Sequence, residues 1–216
     1  NTEPLRVRCI FRRGSNLCTY EWPYLDNLLA WAVVREATHG VGLGASMEPY
    51  ALPLPLECLW RSEDDLPMWA ATQLKPIGVS EADVAIYHKR RQSGSYTGTK
   101  SGRFAPSGTD GRWADRRIPR PVTVCRELGA ECVGNPEEIA RLLATVTAVG
   151  KHRAIGHGEV EEWRIEPITE FTLVREGALM RCVPEAAGDA LGIHPAEQPA
   201  MIGWTPPQWL PALFRP

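Results

Sequence analysis

Along residues 5–13, LRVRCIFRR, the apolar Leu5, Val7, Cys9 and Phe11 alternate with Arg6, Arg8 and Arg12. A period of two predicts a half-buried strand with one cationic face. The period then changes. In YLDNLLAWAVVREATHG, Leu25, Leu28, Leu29, Ala32 and Val33 recur at helical spacing and Gly40 is a stop. Asp26 falls in the first helical turn, where a carboxylate suits the dipole. Residues 50–60 are apolar, but Pro53 and Pro55 lack ladder donors, so an edge strand is the most they allow. Residues 67–75 and 83–88 are further strand candidates, and 122–133 resumes a strand pattern. NPEEIARLLATVTAVG predicts a helix capped by Asn135, with Pro136 first and Glu137 and Glu138 at the positive end. Its apolar face is Ile139, Leu142, Leu143 and Val146, and Gly150 is its expected end. EVEEWRIEP (159–167) reads as a strand, and 170–184 as a hairpin turning near Glu176 and Gly177. The tail from Gly203, with four prolines in fourteen residues, reads as an extended surface strap.

This order predicts an α+β fold with a ferredoxin-like, RRM-type β-α-β-β-α-β layout. A length of 216 residues suits a single domain over 1–216, and 44% hydrophobic residues can fill its core. The segment from Lys89 to Pro121 cannot contribute to that core. It is rich in glycine, serine and threonine, nearly free of aliphatic residues, and reads as a long loop or extended hairpin leaving the sheet.

Charge sharpens that reading. Between Lys89 and Arg120 nine cations face only Asp110 and Asp115, a local +7; the chain's formal total is -2, which leaves -9 elsewhere. Tyr96, Phe104 and Trp113 are interleaved with Lys89, Arg90, Arg91, Lys100, Arg103, Arg112, Arg116 and Arg117. Cations for phosphates and aromatics for bases are what single-stranded nucleic acid rewards. A solvated loop is the plain alternative.

A second cationic stretch, GKHRAIGHG (150–158), sets Lys151, His152 and Arg153 among glycines at a helix-to-strand junction. It has neither P-loop spacing nor the strand-to-helix order of a dinucleotide fingerprint. Gly156 and Gly158 would let a phosphate backbone approach closely, having no Cβ; an ordinary turn is the other reading. His39, His88, His152, His157 and His194 are the acid-base candidates. No nucleophile elbow, zincin or paired-carboxylate motif accompanies them, so neither catalysis nor a cofactor or metal is expected. The six cysteines are scattered without C-x-x-C spacing and read as buried free thiols. With no membrane-length apolar run and no apolar signal core, a soluble cytoplasmic protein is expected.

The first strand followed by LDNLLAWAV, the glycine loop GKHRAIGHGEVEEWRIEP after the second helix, and the closing MRCVP and GWTPPQW together resemble the RAMP superfamily of CRISPR-associated proteins. More narrowly, they resemble the Cas-five-like subunit of type IV systems. The likeness runs from about Leu5 to Trp209, and residues 45–85 carry little of it. It implies a non-catalytic subunit that binds the 5′ handle of a CRISPR RNA and caps a filament of Cas-seven-like backbone subunits. It also implies contact with the large subunit, close to the flank of a DNA target, and a thumb at about 89–121. A Cas-six-like endoribonuclease and a phosphate-binding enzyme with a small substrate are the alternatives.

Overall fold

The computed structural model describes residues 1–19, 21–40, 51–89, 116–193 and 203–207. Expectations for Arg90, Arg91, Tyr96, Lys100, Arg103, Arg112 and Trp113, for His194, and for the tail beyond Pro207 lie outside the described residues. So do the side chains of Lys89 and Arg116.

In chain order the elements are β1 (Glu3–Phe11), α1 (Leu25–Ala37), β2 (Cys58–Arg61), β3 (Pro67–Trp69), β4 (Lys75–Pro76), β5 (Ser80–Lys89) and β6 (Arg116–Cys125). There follow β7 (Glu127–Gly134), α2 (Pro136–Leu143), β8 (Val160–Pro167), β9 (Val174–Arg175), β10 (Ala178–Leu179) and α3 (Glu185–Leu191). The alternation of the first strand is realised directly: Leu5, Val7, Cys9 and Phe11 are buried, while Arg6 and Arg8 line the opposite face. β1 pairs antiparallel with β7 on one side and β8 on the other, and β4 adds to β7, giving the order β4-β7-β1-β8.

Each long connection therefore has the same form. α1 joins β1 to β4, two parallel strands that flank β7. α2 joins β7 to β8, two parallel strands that flank β1. Both helices bury apolar side chains against the Leu5–Val7–Cys9 face: Leu25 and Leu29 from α1, and Ile139, Leu142 and Leu143 from α2, meet Leu128, Ala130 and Cys132 of β7 in one core. Helices on one face of an antiparallel sheet make this an α+β fold. Asn135 caps α2 as its sequence predicts, its side chain accepting from the backbone N–H of Glu137 at 3.0 Å and Glu138 at 3.2 Å.

Three boundaries differ from the sequence expectations. α2 ends at Leu143, not at Gly150. The β-branched run Thr145-Val146-Thr147 favours extended backbone, and residues 147–149 instead pair with the start of β8, Val149 N–H donating to Gly158 O at 2.8 Å and Val160 N–H to Thr147 O at 2.9 Å. Residues 122–133 are two strands, because the chain changes partner at Arg126: up to Cys125 it pairs with β5, and from Glu127 with β1. Likewise 67–75 divides between β3, paired with β2, and β4, paired with β7.

β5 and β6 form a hairpin paired from Ser80↔Cys125 to Lys89↔Arg116, inserted between β4 and β7. It stands away from the core, with Val84 and Ile86 more than 45% exposed. The two strands carry the chain out to Lys89 and back from Arg116, and near their root Thr123 is bridged to Leu17 in the segment that follows β1. The hairpin of β9 and β10 turns at Glu176 and Gly177 as predicted. A satellite cluster of Leu66, Met68, Leu173, Ala187 and Trp204 packs the C-terminal segment down, with Trp60 edge-on to Trp204 at 5.4 Å between ring centroids. All six cysteines are free, and Cys9, Cys18, Cys125 and Cys132 are buried. Burial pushes the Cys132 thiol up to about 12, out of the thiolate range at neutral pH. Among the described residues no helix is long and apolar enough to cross a membrane.

Candidate nucleic-acid interface

The glycine loop is held by the segment that follows β1. Lys151 N–H donates to Cys18 O at 2.7 Å, Gly158 N–H to Asn16 O at 2.8 Å, and the Ser15 hydroxyl to Gly156 O at 3.1 Å. The ladder of residues 147–149 with β8 closes it from behind. Within that frame the backbone takes four left-handed positions, at Gly150, His152, Gly156 and Gly158, around a short 3-10 turn, Arg153–Ile155. The result is a fixed base and a raised crown: residues 151–156 are exposed, whereas His157 and Gly158 are buried.

This corrects the expectation for Gly158. A Cβ there would lie 1.8 Å from the carbonyl oxygen of Val149. The close approach that the missing side chain permits is made by the protein's own backbone, so RNA has no access to it. Gly156 is different: nothing lies within 4 Å of its notional Cβ, and it faces open space. His157 is also structural, its Nδ1 hydrogen-bonded to Asn16 Oδ1.

The crown gathers cations. Lys151, His152 and Arg153 are all exposed. Arg153 reaches back over the partly buried Trp31 of α1, its guanidinium carbon 5.4 Å from the ring centroid, and Arg35 lies 5.0 Å from the same ring. Two guanidiniums on one indole fix their own positions by cation–π attraction, worth about 0.5–1 kcal/mol each at exposed sites. From the hairpin side Arg120 stacks over Tyr87 at 4.5 Å, and its Nη1 is buried with no hydrogen-bond partner among the described residues. Desolvation, then the charges of Arg120, His157 and Lys151, hold the His152 imidazole below its ordinary value. The charge of Arg120, midway along the hairpin, is thus felt at His152 of the loop.

Of the sequence-predicted residues, the fold brings Lys151, His152, Arg153 and Gly156 together. Arg117 is exposed further out on the hairpin, in the rung opposite His88, and the Lys89↔Arg116 rung lies beyond it. Arg120 stands three residues from Arg117, roughly 10 Å along an extended strand. Trp31, Arg35 and Arg120 were missed as site residues. The i, i+4 spacing of Trp31 and Arg35 is legible in the sequence; their meeting with Arg153 is not, because it depends on how α1 packs beside the loop. Among the described residues no group of three or more His, Cys, Asp or Glu side chains could hold a metal ion.

The α+β scaffold thus carries an exposed cationic crown on a strapped loop and, separately in the chain, a projecting hairpin. Neither protein-family models nor curated proteins give a match to this chain.

Proposed function

We propose that the chain is an RNA-binding protein that holds a single-stranded backbone across the glycine loop and along the hairpin. The observation that carries this reading is the exposed run Lys151, His152 and Arg153 on the strapped loop, together with Arg120 of the hairpin, whose charge acts on His152 and whose Nη1 is a buried donor lacking an acceptor among the described residues. An unpaired buried guanidinium nitrogen is costly, and a phosphate oxygen is the acceptor that suits it best. The exposed loop crown gives a strand room to pass, and the hairpin gives it a second wall.

The narrower reading is a Cas-five-like subunit of the RAMP superfamily, from a type IV CRISPR effector complex, holding the 5′ handle of the CRISPR RNA. The two interlocked crossovers support it, since the order β4-β7-β1-β8 is that of a ferredoxin-like β-α-β-β-α-β unit. So does the hairpin, which leaves the fold where a thumb is expected. On this reading Cas-seven-like backbone subunits and the large subunit are the protein partners, and no step of chemistry belongs to this chain. The test is recovery of RNA from the purified protein. A small RNA of uniform 5′ end supports the proposal; RNA of random ends or none at all removes the handle-binding role.

One observation favours a second reading, a Cas-six-like endoribonuclease. His152 lies beside His157, with ring centroids 6.4 Å apart, and its depressed basicity keeps an imidazole neutral at pH 7, as a general base requires. Metal-independent cleavage of a repeat RNA that is lost in His152→Ala would establish it in place of the first.

A further inference from the structure

Among the described residues, several arginines on and around the sheet face turned away from the helices are each met by at least one glutamate. Arg8 is bonded to Glu127 and also to Glu166, Arg164 to Glu162, and Arg126 to Glu161. Near β4 the balance fails. A cavity of about 420 Å³ lies between β4, the β7 backbone and the β9–β10 hairpin, and Arg6, Lys75, Arg175 and Glu131 all line it. Three cations line it beside one carboxylate.

The arrangement of that carboxylate is specific. Glu131 is 6% exposed and sits at the bottom of the group. One of its oxygens, Oε1, takes both guanidiniums, Arg6 Nη2 at 2.9 Å and Arg175 Nη2 at 2.6 Å. Burial works to raise its carboxyl, but the hydrogen bonds from the two arginines outweigh this and hold it below the usual range. Glu131 is thus an ionised hinge that orients two arginines while leaving their remaining N–H donors unused by it. Each arginine side chain is nearly half exposed. Lys75 has no hydrogen-bond or ion-pair partner among the described residues. The net charge of this group is +2.

We infer that this cavity binds a phosphomonoester, the dianionic phosphate of a small organic phosphate or of a chain terminus. The charge decides the class: a phosphomonoester carries about -1.5 to -2 at pH 7, whereas a carboxylate or an internal phosphodiester carries -1. Planar guanidiniums held in place suit paired phosphate oxygens, and an ammonium adds a point charge. The volume falls within the range of small-ligand pockets, and Ile77 and Met180 give the body of such a ligand an apolar wall. The site is on the opposite sheet face from the helices and does not rest on the RNA reading.

Isothermal titration with AMP, and with one oligoribonucleotide carrying either a 5′-phosphate or a 5′-hydroxyl, tests it. Wild type is expected to bind AMP, or to prefer the 5′-phosphorylated oligonucleotide, and the arm that responds names the source. Lys75→Met should weaken that phosphate-dependent binding at least about tenfold, the loss of one charge-assisted hydrogen bond. Its melting temperature should stay within about a degree, since the ammonium has no partner to lose; Lys75→Arg should restore most of the affinity. If AMP and the 5′-phosphate are both without effect, or if Lys75→Met binds as wild type does, the inference is wrong.

Discussion

Arg181 Nη2 lies 3.0 Å from Asp26 Oδ2, and neither side chain has any exposure to solvent. Arg181 also donates to the carbonyl oxygens of Trp69, Ala71 and Trp204. It therefore joins the first turn of α1, the end of β3 with the residues just after it, and the C-terminal segment at one buried point. A charge pair this deep offsets a large desolvation cost rather than adding stability outright. Removing one partner is what shows. Arg181→Met should lower unfolding stability by about 3–5 kcal/mol, read as a shift of the urea midpoint. Asp26→Leu combined with Arg181→Met should recover part of that loss, because no unpaired charge then stays buried. A double variant no more stable than Arg181→Met alone would contradict this account.

Gly156 and Gly158 separate conformational strain from collision. Both have positive φ, +91° and +65°. Gly156→Ala meets open space, so only the strain of a left-handed alanine remains, about 1 kcal/mol. Gly158→Ala drives a Cβ into the Val149 carbonyl and must shift the ladder that closes the loop; at least about 2 kcal/mol is expected. Thermal melts of the two variants check the difference. Equal losses would mean that the Val149–Gly158 contact yields freely.

Asn135→Ala removes the acceptor for two N–H groups at the start of α2 and should cost about 1 kcal/mol, whereas Asn135→Asp should be nearly neutral. The denaturant midpoints of these two variants give the answer.

What the sequence made legible is what depends on neighbours in the chain. The alternation of Leu5, Val7, Cys9 and Phe11 is set by the pleat, and the Asn135-Pro136 start of α2 by local capping, so both could be read directly. Arg181 and Asp26 are 155 residues apart. Asp26 reads as a carboxylate that suits the dipole in a first helical turn, and no local pattern distinguishes that from a buried ion pair. Gly158 was misread for a related reason. A glycine beside lysine and arginine invites a ligand, but what fills its missing side chain is Val149, brought back by a pairing that ends α2 early. Glu131 between Arg6 and Arg175 is hidden in the same way, because β1, β7 and β9 meet only in the fold. The strand split at Arg126 shows the limit from the other side: apolar periodicity continues through it, and only the change of partner marks it.

Lys151 and Arg153 should each carry one phosphate contact on the RNA reading. Each neutralised phosphate on a single strand contributes roughly -0.7 to the slope of log affinity against log salt. Lys151→Ala with Arg153→Ala should flatten that slope by about 1.4, for all sequences alike. Fluorescence anisotropy on a short single-stranded RNA over a salt series measures it. A slope that does not move takes both residues out of the interface.

His152 gives the interface a pH dependence whose sign can be fixed. In the free protein its imidazole sits below its ordinary value, through desolvation and the cations Arg120 and Lys151 with His157 nearby. Protonation is therefore disfavoured in the folded state. This contribution to stability is intact above about pH 6.5, the unperturbed value. It is lost as pH falls through the lower folded value, so the free protein should weaken slightly on acidification. A phosphate beside the ring reverses the preference, because an anion favours the imidazolium. Binding then takes up a proton, and affinity for an oligouridylate, whose bases do not titrate in this range, should rise as pH falls from 7.5 to 5.5. The two trends run in opposite directions, so acid destabilisation cannot imitate the binding effect. His152→Gln should flatten the affinity profile while leaving affinity at pH 7.5, where the ring is neutral, within about threefold. Binding titrations across that pH range decide the matter: a profile that persists in His152→Gln assigns the proton to another group and leaves His152 without a role at the phosphate.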